Sequence, residues 1–277
     1  MISGRTTLIA HLGYPTETFK APMIYNPWFE RQGIDAVVVP MGVRADDYAA
    51  FLRSLFRLSN IRGALVTMPH KVTTVGLLDD TSVAVKIAGS CNAILRRLDG
   101  SLYGDMFDGE GFTRGAKRKG FDFAGADCLV VGAGGVGSAI AAAIAAERPG
   151  SLAVFDTRAI VAENLADRLS QHYPDLHVEL RSNDPTGYDL VVNATPLGMK
   201  ADDPLPFDPI RLSRDTFVGE VVLKAEMTPL LEAAARLGCR YQIGTDMLFE
   251  QIPAYLEFFG YGAATPEELR EVAQISY

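Results

Sequence analysis

The chain has 277 residues, 48% hydrophobic and 22% charged, with a formal charge of −8, enough to bury a substantial core in one large or two medium domains. The acidic balance argues against a nucleic-acid or anionic-membrane partner. No apolar run reaches membrane-helix length, and Met1 to Gly13 lacks a signal-peptide layout. Three scattered cysteines (Cys91, Cys128, Cys239) and four histidines without H-E-x-x-H spacing imply no disulfide framework and no metal, so a reduced, cytoplasmic-type chain with cysteines as small buried apolar residues is expected.

In chain order, Thr6 to Leu12 reads as a first strand, ending at Gly13-Tyr14-Pro15. A helix is expected from Pro22 to near Gly33, then a valine-rich buried strand over 35–41. Residues 46–58 place Tyr48, Phe51, Leu52, Leu55 and Phe56 on one helical face. A third strand over 64–68 is broken by Pro69. This alternation predicts an open parallel sheet with ligands at the carboxyl ends of its strands, so 14–22 and 67–71 should share one rim. Cys91 to Arg97 and Ser101 to Met106, parted by Asp99-Gly100, read as a hairpin. A helix over 107–119 then leads out of the first domain.

From Asp127 a second βα pattern begins, with strands at 127–131, 151–155, 177–180, 188–193 and 216–222 and helices between most of them. The first strand runs into Gly132, Gly134 and Gly137, a complete G-x-G-x-x-G, and then into small residues at 139–146 that read as a helix. Those glycines suit a tight turn, backbone approach to a pyrophosphate and close helix–strand contact, with the helix N-terminus facing the phosphates. Asp156, 24 positions beyond Gly132, ends the second strand where a carboxylate takes the ribose hydroxyls of NAD. Leu190 to Pro196 is a strand entering a loop, the usual place of contact with a nicotinamide ribose. Helices over 247–259 and 266–275 are expected to cover the first domain. The whole is an α/β fold: an open α/β substrate-binding domain of residues 1–106 and 246–277, a Rossmann dinucleotide-binding domain of residues 107–245, and a cleft between them.

A nicotinamide oxidoreductase must supply a proton donor or acceptor for the alcohol oxygen. Thr67-Met68-Pro69-His70-Lys71 and Asp105-Met106-Phe107-Asp108-Gly109 each follow a strand end and deliver such a group, Lys71 and Asp108. On spacing alone, a solvated lysine at a helix start and an N-capping aspartate stand ahead of the catalytic reading.

The chain resembles the shikimate/quinate dehydrogenase family over nearly its whole length. The matching pieces are Gly13-x-Pro15 with Pro22, Val66-Thr67-x-Pro69-x-Lys71, Asn92 after Gly89, and Asp108-Gly109-x-Gly111. They continue with Gly132 to Gly135, Val192-Asn193-Ala194-Thr195-Pro196-Leu197-Gly198-Met199, Thr228-Pro229-Leu230, and Gly244-x-x-Met247-Leu248-x-x-Gln251. The resemblance implies hydride transfer between a nicotinamide cofactor and a shikimate- or quinate-like cyclic hydroxy acid. It makes Lys71 and Asp108 the catalytic pair and sets Thr67, Asn92 and Gln251 on the ring hydroxyls. It puts Gly132, Gly134, Gly135, Val136, Asp156, Arg158, Thr195, Pro196, Met199, Val221, Gly244, Met247 and Leu248 against the cofactor.

The chain also departs from the family pattern. Two serines that take the substrate carboxylate are replaced by Phe19 and Ala21, and Leu65, Met106, Phe107 and Leu223 stand where polar residues are usual. Thr16, Thr18 or Lys20 then become the candidate carboxylate contacts, and a less polar hydroxy acid is the alternative substrate. Asp156-Thr157-Arg158 resembles the NAD-using members, since a carboxylate repels a 2′-phosphate; Arg158 offsets part of that repulsion, which leaves NADP open. A non-catalytic NAD-binding sensor is the competing class, though a sensor has no reason to keep both Lys71 and Asp108. A folate-type dehydrogenase of similar plan lacks the Asn92 and Gln251 pieces. The expected partner is a small-molecule substrate, in a monomer or homodimer.

Overall fold

The computed structural model describes residues 2–200 and 202–275. The described residues divide into two compact units: 2–107 with 252–275, and 108–251.

The first unit begins β1 (Thr7–Gly13), α1 (Pro22–Gln32), β2 (Ala36–Gly42), α2 (Ala45–Leu55) and β3 (Ile61–Val66). β1 lies between β2 and β3 and is parallel to both. Pro22 sits in the first turn of α1, and Gly33 closes it in the left-handed conformation at φ 65°, the expected asymmetry of proline start and glycine stop. α2 stops at Leu55 rather than running to 58. The Arg96 guanidinium donates to the carbonyls of Phe56 and Leu58 at 3.1 and 2.7 Å, so these groups are satisfied outside the helix. β3 starts earlier than the apolar run suggested. Ile61 pairs with Leu8, in a stretch where Arg62 and Gly63 hide the pattern.

Next come α3 (Lys71–Val75), β4 (Asp80–Thr81), α4 (Val83–Ala88), β5 (Ala93–Arg96) and β6 (Leu102–Asp105). β5 and β6 form the expected antiparallel hairpin, and β5 runs antiparallel to β3. The sheet order is β2-β1-β3-β5-β6-β4. α3 begins at Lys71, the helix start read there; its end, β4 and α4 are not readable in the sequence, because elements this short carry no period. Local chemistry marks α4 all the same: the Ser82 hydroxyl accepts from the Val85 N–H at 3.3 Å, and Gly89 ends it at φ 65°.

The second unit contains α5 (Asp108–Arg118), β7 (Asp127–Val131), α6 (Gly135–Ala146), β8 (Ser151–Phe155), α7 (Ala159–His172), β9 (His177–Leu180), β10 (Leu190–Asn193), β11 (Phe217–Glu220), α8 (Pro229–Leu237) and β12 (Arg240–Gln242). Its six strands are ordered β12-β11-β10-β7-β8-β9, and every pairing is parallel. The central strands have apolar middles: Leu129, Val130, Leu152, Val154, Val191, Val192 and Val218 are fully buried, as strands covered on both faces must be. The chain order reverses between β7 and β10, which makes their carboxyl ends a topological switch point where ligands bind in such sheets. β11 stops at Glu220, short of 222, because Glu220 turns its carboxylate back to the next two N–H groups. β12 was too short to read.

α9 (Gly244–Phe259) begins ahead of the predicted 247, and α10 (Pro266–Val272) ends ahead of 275. α10 starts on a capping box between Thr265 and Glu268 and is ended by Ala273 in extended backbone; the Gln274 N–H then donates to the Met23 carbonyl at 2.9 Å. All three cysteines are free and buried. Among the described residues, no helix is long and apolar enough to cross a membrane.

Candidate active site

In the second unit the glycine turn follows β7. Gly132 adopts φ 103°, and a side chain there would meet the Ala194 carbonyl oxygen at 2.8 Å and the Thr195 methyl at 3.0 Å, so only glycine fits. Gly134 has open space where a Cβ would stand. It is the N-cap of α6, and no side chain caps that helix. α6 begins at Gly135, four residues ahead of the predicted 139, which brings Gly135 and Val136 into its first turn. An uncapped helix N-terminus behind a bare glycine is a cradle for a phosphate, so the residues present fit a dinucleotide.

Asp156 stands directly after β8. Its Oδ2 accepts the Ala133 N–H at 2.9 Å, and its Oδ1 accepts the Arg158 N–H at 2.9 Å. The Arg158 guanidinium folds back on it at 3.3 Å. Burial alone would raise the Asp156 carboxyl, but these donors and the guanidinium hold it below the usual range. A charged carboxylate is thus clamped to the glycine turn. Thr195 follows β10, its hydroxyl donating to Asn193 Oδ1 at 2.7 Å.

In the first unit, Lys71 opens α3 and is half-buried, Thr67 is half-buried, and Thr18 is exposed. Tyr14 and Met68 meet through an N–H to carbonyl bond of 2.9 Å, which puts the loops after β1 and β3 on one rim as the strand alternation required. Phe19 and Thr67 both flank Gly13. Lys20 is only 9% exposed. Asn92 is 1% exposed. Its Oδ1 accepts the Phe107 N–H at 3.0 Å, whereas its Nδ2 is buried without a hydrogen-bond partner. Such an orphaned amide costs free energy unless a ligand meets it. Leu65, Met106 and Phe107 are buried, with Phe107 edge-on to Tyr255 at 4.8 Å between centroids.

Of the remaining site candidates, Asp108 is the first residue of α5 and is buried, and Gln251 lies on α9 with its Oε1 buried and unpartnered. Both belong to the second unit, with the dinucleotide candidates. Val221, Gly244, Met247 and Leu248 lie there too, at the end of β11 and the start of α9, and Pro196 and Met199 lie on the loop after β10.

Sequence reasoning missed two buried polar residues. His11 on β1 is 8% exposed, with Nδ1 unpartnered and its ring stacked on Phe19. Burial and the nearby Lys71 charge lower it to about 3. Glu220 is fully buried at the end of β11. A histidine and a glutamate inside otherwise apolar strand runs are the signals that would have found them.

A doubly wound parallel sheet, with a glycine-lined turn and a carboxylate clamped to it at the switch point, defines a dinucleotide-binding protein of the dehydrogenase class. Residues 12–94 match the model of the shikimate dehydrogenase substrate binding domain. The chain is 32% identical over 263 residues to a shikimate dehydrogenase (NADP(+)) of Acidiphilium cryptum, covering 94% of this chain and 93% of that one. Quinate dehydrogenase from Corynebacterium glutamicum, solved in complex with NAD, matches with a TM-score of 0.85 at 30% identity, covering 96% of this chain and 98% of that one. Shikimate 5-dehydrogenase from Listeria monocytogenes, solved with shikimate and NAD, matches at 0.87 and 26% identity, covering 98% and 97%. The chain belongs to the shikimate dehydrogenase family and is an oxidoreductase.

Proposed function

We propose that the chain catalyses reversible hydride transfer between a nicotinamide dinucleotide and a ring hydroxyl of a shikimate- or quinate-like cyclic hydroxy acid. The observation that carries this reading is Asn92: a buried amide with one end fixed on Phe107 and the other unpartnered, within the stretch matching the family's substrate-binding domain. The names of the relatives, a shikimate dehydrogenase and a quinate dehydrogenase, support the substrate class.

The dinucleotide, when bound, supplies the carrier of the hydride. The protein's own task is the proton. In this reading Lys71 takes the hydroxyl proton during oxidation and returns it during reduction, and Asp108 holds the lysine's charge. Thr67, Asn92 and Gln251 orient the ring by its hydroxyls, and Thr18 and Lys20 are the remaining candidates for its carboxylate. The glycine turn from Gly132 to Val136 holds the pyrophosphate; Asp156 and Arg158 hold the adenosine ribose. Thr195, Pro196, Met199, Val221, Gly244, Met247 and Leu248 hold the nicotinamide half. We assign the two units as substrate-binding and dinucleotide-binding domains, acting in the cytoplasm as a monomer or homodimer.

NAD is the preferred dinucleotide in this reading, because the charged Asp156 accepts a 2′-hydroxyl and repels a 2′-phosphate. Steady-state kinetics with shikimate and quinate, each with NAD and NADP, test the proposal. Turnover of at least one substrate is expected, and absence of turnover with all four combinations contradicts it.

A further inference from the structure

We propose that Glu220 is a positioning residue for the nicotinamide half of the dinucleotide, an inference that rests on the dinucleotide-dependent reading above. Glu220 ends β11 as the register partner of Asn193, which ends β10. It is 0% exposed. Its Oε1 accepts from the N–H groups of Val221 and Val222 at 2.9 and 3.1 Å and from Asn193 Nδ2 at 3.0 Å. Its Oε2 accepts from Thr228 Oγ1 at 2.9 Å and again from Asn193 Nδ2 at 3.3 Å.

Each partner passes the constraint on. Asn193 Nδ2 also donates to the Leu197 carbonyl at 3.0 Å, and its Oδ1 accepts from both the N–H and the hydroxyl of Thr195. The Leu197 N–H closes the loop on Thr195 Oγ1 at 3.1 Å. Thr228 Oγ1 accepts the Leu231 N–H and so caps α8. One carboxylate therefore fixes the loop after β10, the loop after β11 and the start of α8.

Both loops carry proposed cofactor contacts. Ala194 and Thr195 back directly onto Gly132 of the glycine turn, and Val222 and Leu223 abut Gly244 at the start of α9. Thr195, Pro196, Val221 and Gly244 thus all depend on Glu220 for their places. A fully buried carboxylate is costly unless its oxygens are met. Burial pushes the Glu220 carboxyl up, and its donor groups oppose that rise. An apolar side chain would avoid this cost but leave the N–H groups of Val221 and Val222 without an acceptor and the Asn193 amide with only the Leu197 carbonyl. What the acid contributes is a single geometry for two loops at the switch point, where the ligand binds.

The test measures NADH and NADPH dissociation constants by fluorescence, with KM values for dinucleotide and substrate, for the parent, Glu220→Gln, Glu220→Asp and Thr228→Val. Glu220→Gln sets an amide N–H₂ against groups that are themselves donors. It is expected to weaken dinucleotide binding and raise the dinucleotide KM by about tenfold or more, with a much smaller change in substrate KM. Thr228→Val should move the same constants in the same direction by less, and Glu220→Asp should recover part of the loss. Unchanged dinucleotide affinity in Glu220→Gln, or a lowered melting temperature with no change in the dinucleotide constants, overturns the proposal. If Glu220→Gln does not fold, Thr228→Val decides by the same readout. A parent protein that binds neither NADH nor NADPH overturns the dinucleotide reading itself, and this inference with it.

Discussion

The imidazole of His11 lies against the ring of Phe19, with centroids 4.1 Å apart and 26° between their planes. The two residues occupy β1 and the loop after it, on the rim that also carries Thr67. They replace polar possibilities with an aromatic wall, and they make separate claims about acid behaviour and substrate choice.

The acid behaviour follows from His11. Burial first, and the Lys71 charge second, lower its pKa from 6.5 to about 3. The folded value lies below the unfolded one, so His11 does not oppose folding above about pH 6.5. As pH falls from there toward 3, the unfolded chain binds a proton that the folded chain refuses, and stability is lost at about 1.4 kcal/mol per unit of displacement. His11→Leu should flatten the fall in melting temperature over this window. An NMR titration should find the parent imidazole still neutral where an ordinary histidine is half protonated; a midpoint near 6.5 contradicts this.

Substrate choice follows from Phe19 and Ala21, which are buried and offer no side-chain hydrogen bond. Each hydrogen bond to a charged group is worth about 1.5–3 kcal/mol. Shikimate should accordingly be a weak substrate for the parent, and Phe19→Ser with Ala21→Ser should raise its kcat/KM by about a hundredfold. If the parent already saturates at low shikimate concentration, Lys20 or a neighbouring threonine is supplying the contacts and the argument from Phe19 fails.

Cofactor preference is assigned to Asp156, whose charge is held by the N–H groups of Arg158 and Ala133 and by the Arg158 guanidinium. The ratio of specificity constants, NAD over NADP, should exceed one in the parent and fall by about tenfold in Asp156→Ser, the equivalent of about 1.4 kcal/mol. A ratio below one in the parent removes the assignment.

The junction of α5 and α6 makes a stability prediction. A methyl group on Gly109 would collide with the Ala139 carbonyl oxygen, whereas one on Gly4 meets nothing. Gly109→Ala should cost about 1–3 kcal/mol or more, because backbone rather than a flexible side chain must move. Gly4→Ala should stay within about 0.5 kcal/mol. Denaturant unfolding of the two variants separates these outcomes; equal stability would show that α5 slides freely on α6.

The two sheets were legible because most of their strands carry short apolar runs, as at Val37–Val39 and Leu190–Val192. The glycine turn and Asp156 were legible because their spacing is mechanical. The extents of α3, α4, β4 and β12 were not, since helices of five or six residues span under two turns and strands of two or three residues have no alternation to read. Two element ends moved because a side chain captured the backbone, as Arg96 does beyond α2 and Glu220 does after β11. His11 and Glu220 escaped notice because polar residues inside strands declare a role only when neighbouring strands bring their partners to them.

Lys71 carries the central claim. The lysine belongs to the first unit and the glycine turn to the second, so removing its amine should spare dinucleotide binding. The decisive measurement is kcat for Lys71→Ala beside its NADH dissociation constant. A fall in kcat of about 100-fold or more, with the dissociation constant within about twofold of the parent, is the predicted result. A kcat close to the parent value, or parallel losses in turnover and NADH affinity, contradicts Lys71 as the acid–base group.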